Sequence, residues 1–175
     1  MEIIIEKKKA TAEDFKKLPE GAPFQLIGGQ LVKEPSPQYF HQDTVAAIFS
    51  KMRLYTDEND LGKTLIAPFD VHFDEENIFQ PDILFVSKEN KNCRIEDWVY
   101  GPPDLIIEVL SEFNSYFDTK KKFKVYEKYG VKEYFIVDPN DKEVIAYYLH
   151  DNHFKETYKQ AGIIKSQVLG GEFKF

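Results

Sequence analysis

The sequence predicts an α/β (α+β) fold: a mixed central β-sheet flanked by helices, with an N-terminal helix and hairpin ahead of it. Three observations lead there. Segments with helical and with strand periodicity alternate along the chain instead of segregating into two blocks. One stretch, Leu105-Ile-Ile-Glu-Val-Leu110, is apolar on both faces, as a strand in the middle of a sheet must be. Hydrophobic residues make up 42% and charged residues 30%, which is enough apolar material for a sizeable core. A length of 175 residues falls within the roughly 100–200 of most domains and predicts one domain over 1–175.

Taken in order, Thr11-Ala-Glu-Asp14 opens a short helix, with Thr11 as N-cap and an acid three residues on. The helix stops at Leu18-Pro-Glu-Gly21. Phe24 to Val32 reads as a hairpin turning at Gly28-Gly29, where positive φ carries no steric cost. After the break at Pro35-Ser-Pro37, Val45, Ile48, Phe49, Met52 and Tyr55 recur at spacings of three and four. They predict a helix from about Gln38 to Asn59, ended by Gly62. Thr64 to Phe73 and Asn77 to Val86 read as two strands around the turn 74–77. The segment from Ser87 to Tyr100 is polar and irregular, and Asp104 to Leu110 is the strand buried on both faces. A second helix runs from about Tyr116 to Tyr129, closed by Gly130. Glu133 to Val137 and Glu143 to Leu149 form a hairpin, and weaker strand signals fill His153 to Phe175.

Charge and cysteine usage narrow the setting. The formal net charge is −7, from 23 basic and 30 acidic residues. This excludes a histone-like polycation but not an enzyme with a local basic cleft for nucleic acid. Cys93 is the single cysteine, so neither an internal disulfide nor a cysteine-based zinc site can form. The opening Met-Glu-Ile-Ile-Ile-Glu-Lys-Lys-Lys does not read as a secretory signal, and no stretch approaches the roughly 20 apolar residues of a membrane helix. The expectation is a cytoplasmic protein with no membrane association.

Three residues carry the candidate chemistry. Glu108 lies in the fully apolar strand, where an unpaired carboxylate would cost several kcal/mol and so demands a cation, a proton or a donor. A structural ion pair is the plain alternative. Asp82, in Gln80-Pro-Asp-Ile-Leu-Phe-Val86, heads another apolar strand. Two such carboxylates on neighbouring strands form a minimal ligand set for a hard cation such as Mg²⁺, with Mn²⁺ as a substitute. The second helix bears Lys120, Lys121, Lys122, Lys124 and Lys128. At about 100° per residue, Lys122 falls within the apolar stripe of Phe123, Val125, Tyr126 and Tyr129 while the others point away. Lys122 therefore either reaches the carboxylate pair or pairs with Asp118 four residues back. A cation between two carboxylates with a lysine beside the attacking water suits phosphodiester hydrolysis. A glycosidase pair would leave the lysine idle.

Pro81-Asp82, Asp104-Leu-Ile-Ile-Glu-Val-Leu-Ser111, Asp118-x-x-x-Lys122 and Tyr126-x-x-x-Gly-Val-x-Glu-Tyr-x-x-Val-Asp-Pro139 together resemble the Uma-two family of restriction-endonuclease-like proteins, within the PD-(D/E)XK nuclease superfamily. Leu18-Pro-Glu-Gly21, Pro35-Ser-Pro37 and His41-Gln42 extend the likeness over nearly the whole chain. The resemblance implies a restriction-endonuclease-like core and a Mg²⁺-dependent endonuclease acting on DNA. Asp82, Glu108 and the Val109 carbonyl would be metal ligands and Lys122 the catalytic lysine, since the superfamily's usual lysine position falls on Leu110. The family's first hairpin commonly carries acids where this chain has Gln25, Gly28 and Gln30, and the loss bears on activity.

Two readings therefore stand: an active endonuclease, or a nuclease-fold protein serving as a binding or interaction module. Further candidates surround the site. With the turn centred near Glu76, Asp70 would face Asp82 across the strand pair, at about 4.5–5.5 Å between Cβ atoms, as an added carboxylate; a solvated strand face is the alternative. His41 near a helix start either contacts phosphate or water, or simply caps the helix or sits on the surface. Asp104 lies about 13 Å from Glu108 along an extended strand, too far to share an ion. A homodimer would bring two sites to the two strands of a duplex, and no base-reading module is present to set specificity.

Overall fold

The structure, a computed structural model, describes residues 9–34, 36–111 and 117–175, apart from the side chains of 117–119. The elements run α1 (Ala12–Phe15), β1 (Phe24–Ile27), β2 (Gln30–Lys33), α2 (Tyr39–Glu58), β3 (Gly62–Ile66), β4 (Val71–Asp74), β5 (Asn77–Phe79) and β6 (Ile83–Ser87). They continue with β7 (Arg94–Ile95), β8 (Val99–Tyr100), β9 (Leu105–Val109), a π-helical turn (Phe117–Lys122), α3 (Phe123–Tyr129), β10 (Glu133–Val137), β11 (Glu143–His150), β12 (His153–Ala161), β13 (Ile163–Ser166) and β14 (Gly171–Lys174). None of the described helices is long and apolar enough to cross a membrane.

Local signals account for the boundaries. Thr11 caps α1 as expected: its hydroxyl accepts from the Asp14 N–H, and the Asp14 carboxylate accepts from the Thr11 N–H. The β1–β2 hairpin turns at Gly28 and Gly29, with φ of 58° and 76°. Gly130 closes α3 in the left-handed region. α2 closes with Asn59 as its C-cap, where the sequence places its end; the residue that turns the chain is Asp60, with positive φ, and Gly62 opens β3.

The main sheet has the order β12-β11-β10-β9-β6-β3. β9 pairs parallel with β10 and antiparallel with β6, so the sheet is mixed and the doubly apolar strand lies inside it. Its two faces bury different sets. Ile107, Val109, Ile83 and Phe85 pack with Val45, Ile48 and Met52 of α2. Ile106, Leu84 and Val86 pack with Tyr126 of α3 and with Val71 and Phe79 of the second sheet, ordered β2-β1-β5-β4-β8-β7. Each fully buried large apolar side chain contributes about 1.5–3 kcal/mol, so both layers are held mainly by burial.

The two strands read around turn 74–77 form one long hairpin that bends between the sheets. β4 pairs with β5 in the second sheet, and β3 with β6 in the main sheet. Pro68 and Pro81 fall at the bend, where a residue without an N–H interrupts the ladder. Asp82 lies immediately after that corner.

This geometry corrects the placing of Asp70. β4 and β5 pair Val71 with Phe79, and a bulge separates His72 from Asp74. Asp74 Oδ1 accepts from the Glu76 N–H and the Asn77 amide, which tightens the turn and moves its centre back. Asp70 consequently meets Gln80, whose side-chain amide donates to its Oδ1 at 2.7 Å, and not Asp82.

Candidate active site

The last paired positions of β6 and β9 are Ile83 and Ile107. One residue further along each strand stand Asp82 and Glu108, so the register brings the two carboxylates opposite each other at the end of the ladder. Both line a cleft of about 730 Å³ together with His41, Val109 and Lys122. The next step of the same register sets Pro81 against Val109. Proline has no N–H for the Val109 carbonyl, and the Val109 N–H instead donates to Asp82 Oδ2 at 2.7 Å. Residues in an extended strand direct N–H and C=O to the same side, so the Val109 carbonyl faces the Asp82 side of the strand.

Glu108 is held from the opposite layer. Lys122 Nζ lies 3.0 Å from its Oε1, and the Tyr126 hydroxyl donates to the same oxygen at 2.6 Å. The Lys122 and Glu108 side chains are each only 3% exposed. The inward lysine is thus the one that the periodicity of the helix singles out, and it reaches Glu108. Lys120 and Lys124 are exposed, as the same periodicity requires. The side chain of Asp118 lies outside the described residues.

His41, in the first turn of α2, places Nε2 3.3 Å from Asp82 Oδ1, with the two side chains 12% and 15% exposed. The surface reading of His41 is therefore corrected: the histidine braces the first carboxylate. Among the described residues no three or more His, Cys, Asp or Glu side chains form a group that could hold a metal ion. The donor set is two carboxylates in an open cleft, with a main-chain carbonyl directed to the same side.

The floor of the cleft brings in residues that the sequence reading treated otherwise. Gln25 is buried, and its Oε1 accepts from the Gln80 N–H at 2.9 Å while its Nε2 donates to Glu34. Both ends of the amide are engaged, which explains how a neutral side chain sits in this wall without a desolvation penalty. Gly28 and Gln30 belong to the hairpin turn and the exposed strand beyond it. Glu34 had no signal short of the hairpin register. Tyr126 read as apolar stripe, although a buried tyrosine hydroxyl four residues from an inward lysine needs a partner on the same face. Asp104 is structural: its Oδ2 accepts from the Ser87 N–H and the Asn90 amide, and Lys132 pairs with its Oδ1 at 2.7 Å.

A family model named Uma2, described as "Putative restriction endonuclease", matches residues 12–171. The chain belongs to the Uma2 family. Among solved structures, it is similar to one described as a "putative nuclease belonging to DUF820" from Anabaena variabilis, with a TM-score of 0.75 and 21% identity, covering 91% of this chain and 90% of that one. At that identity the likeness shows a shared fold. No curated protein matches the chain. The matched span of the Uma2 model contains every described residue that lines the cleft around Asp82 and Glu108.

Proposed function

We propose that this Uma2 protein is a divalent-metal-dependent endonuclease that hydrolyses DNA phosphodiester bonds in the cleft between β6, β9 and α2. The observation that carries the reading is the meeting of Asp82 and Glu108 across the end of one ladder, with the ammonium of Lys122 on Glu108. Structural ion pairs need no second carboxylate opening on the same cleft.

Asp82, Glu108 and the Val109 carbonyl would hold the ion. Two carboxylates and one carbonyl are hard oxygen donors, and Mg²⁺ characteristically takes one or two carboxylates and completes its shell with water and phosphate oxygens. When bound, such an ion polarises the phosphoryl oxygen and lowers the pKa of a ligated water. The chain's own residues do the rest. The Val109 N–H and His41 fix the two oxygens of Asp82. Tyr126 and Lys122 fix Glu108, and Lys122 sets a positive charge where negative charge grows on the phosphate. Exposed Lys120 and Lys124 on the adjoining helix would meet flanking phosphates. Two copies of the chain would cut both strands of a duplex.

Nicking of supercoiled plasmid tests the reading. Cleavage with Mg²⁺ or Mn²⁺ that is lost on chelation, and in both Asp82→Asn and Lys122→Met, is the expected result. Cleavage that persists in Asp82→Asn would remove the site from consideration. Absence of cleavage in wild type with either ion would favour the second reading, an interaction module. For that reading the relevant observation is Gln25, a neutral amide tied to Glu34 and Gln80 in the wall of the cleft.

A further inference from the structure

A second cavity, of about 420 Å³, adjoins the cleft. Gly21, Ala22 and Gln80 line both. Gln80 is two residues from Asp82, at most about 7 Å of chain even without the corner at Pro81, so an occupant of the cavity would neighbour whatever sits at Asp82.

The wall of this cavity has an unusual composition. Trp98, 38% exposed, presents its indole there and packs against His72 with ring centroids 5.7 Å apart. His72 in turn stacks on Tyr100 at 5.0 Å and 29°. The indole thus leans on His72, which itself rests on Tyr100, while much of its own surface stays open. Burial holds the His72 imidazole below its ordinary pKa, which favours the neutral ring beside Trp98 at pH 7. Three carboxylates, Glu20, Asp70 and Asp97, line the cavity against one lysine, Lys16. That surplus repels phosphate and favours hydrogen-bond donors. A flat apolar surface with acceptors around it fits a flat ligand with amino groups at its edge.

We infer that this cavity takes one unpaired nucleobase carrying an exocyclic amino group, from the nucleotide next to the phosphate at Asp82. The inference rests on the nuclease reading for the identity of the substrate and on the cavity's own lining for the base. Cytosine, adenine and guanine offer N4, N6 and N2 amino donors that a carboxylate accepts, whereas thymine has a single N3–H between two carbonyl oxygens that carboxylates repel. Stacking on an aromatic face supplies affinity without strong sequence demand. A paired base has its amino group engaged and must leave its stack to enter, so single-stranded or frayed DNA is the preferred substrate.

Trp98 is the only tryptophan of the chain, so its emission reports this cavity directly. The experiment titrates the full chain in chelator, without metal, with ten-nucleotide oligo-dC, oligo-dA, oligo-dT and a duplex. The expected result is saturable quenching of Trp98 by oligo-dC and oligo-dA, at least tenfold tighter than by oligo-dT or duplex. In anisotropy measurements with labelled oligo-dC, Trp98→Ala should weaken binding at least tenfold and Trp98→Phe less than threefold. Binding of oligo-dC without any change in Trp98 emission, or equal affinity for oligo-dC and oligo-dT, overturns the inference. The two claims separate cleanly. Metal-dependent nicking with a silent Trp98 sinks the base site and leaves the nuclease. Selective quenching with no nicking under either metal sinks the nuclease and leaves the base site.

Discussion

Replacing Lys122 by methionine takes the ammonium away from a carboxylate that stays buried. Lys122 and Glu108 are each 3% exposed and 3.0 Å apart, and breaking such a pair from one side costs about 3–5 kcal/mol, mostly the penalty of the stranded charge. The Tyr126 hydroxyl remains 2.6 Å from Glu108, which puts the expected cost of Lys122→Met at the low end, about 3 kcal/mol. Adding Glu108→Gln removes the stranded charge while keeping an oxygen for Tyr126. The double variant should then lie within about 1 kcal/mol of wild type, a coupling of about 2 kcal/mol or more between the two positions. Urea unfolding measures this through the midpoint, with the slope unchanged if only stability moves. Single costs that add to within about 0.5 kcal/mol would refute the buried pair, as would a Lys122→Met cost no larger than that of a surface change.

Other perturbations probe separate links. His41→Ala should weaken metal affinity about 10–100-fold by calorimetry, as loss of a group that orients a ligand does, without abolishing binding; unchanged affinity would detach His41 from the site. Burial raises the Glu133 carboxyl above its ordinary 4.5, despite hydrogen bonds from Ser166 Oγ and the Gln167 and Val168 N–H groups. A raised carboxyl favours the folded state fully below about pH 4.5 and loses that contribution as pH rises through the folded value. Stability of wild type relative to Glu133→Gln should therefore fall over that window, and a rising difference would reverse the sign. Burial pushes the Cys93 thiol up to about 12, so disulfide reagents should label it at pH 8 only on unfolding, and fast native labelling would contradict its burial.

Much of the fold was legible in short-range pattern. The Thr11 capping box, the Gly28-Gly29 turn, α2 and the doubly apolar β9 each follow from spacings of two to four residues, which a sequence displays directly. Lys122 was legible for the same reason, because a charged residue in an apolar helical stripe must be answered by a partner. The Asp70 placement failed on one detail of long-range register. A bulge after His72 and the Asp74 side chain clasping the turn shift the pairing, and a shift of this kind reassigns every cross-strand neighbour. The His41 contact spans 41 residues and depends on where the first turn of α2 meets the corner at Pro81, which no local pattern encodes. Gln25 meets Glu34 through the local β1–β2 register, whereas its contact with Gln80 belongs to the long-range class, because it depends on the hairpin packing against the chain before Pro81.

Metal binding on wild type and Asp82→Asn tests the central claim most directly. Calorimetric titration with Mn²⁺ and Mg²⁺ should show one saturable site in wild type and its loss in Asp82→Asn, while both proteins unfold at similar urea midpoints. Binding of equal strength in both proteins, or none in wild type at millimolar metal together with no nicking of plasmid, would contradict the account. Glu108 and Lys122 would then be an internal ion pair of the fold.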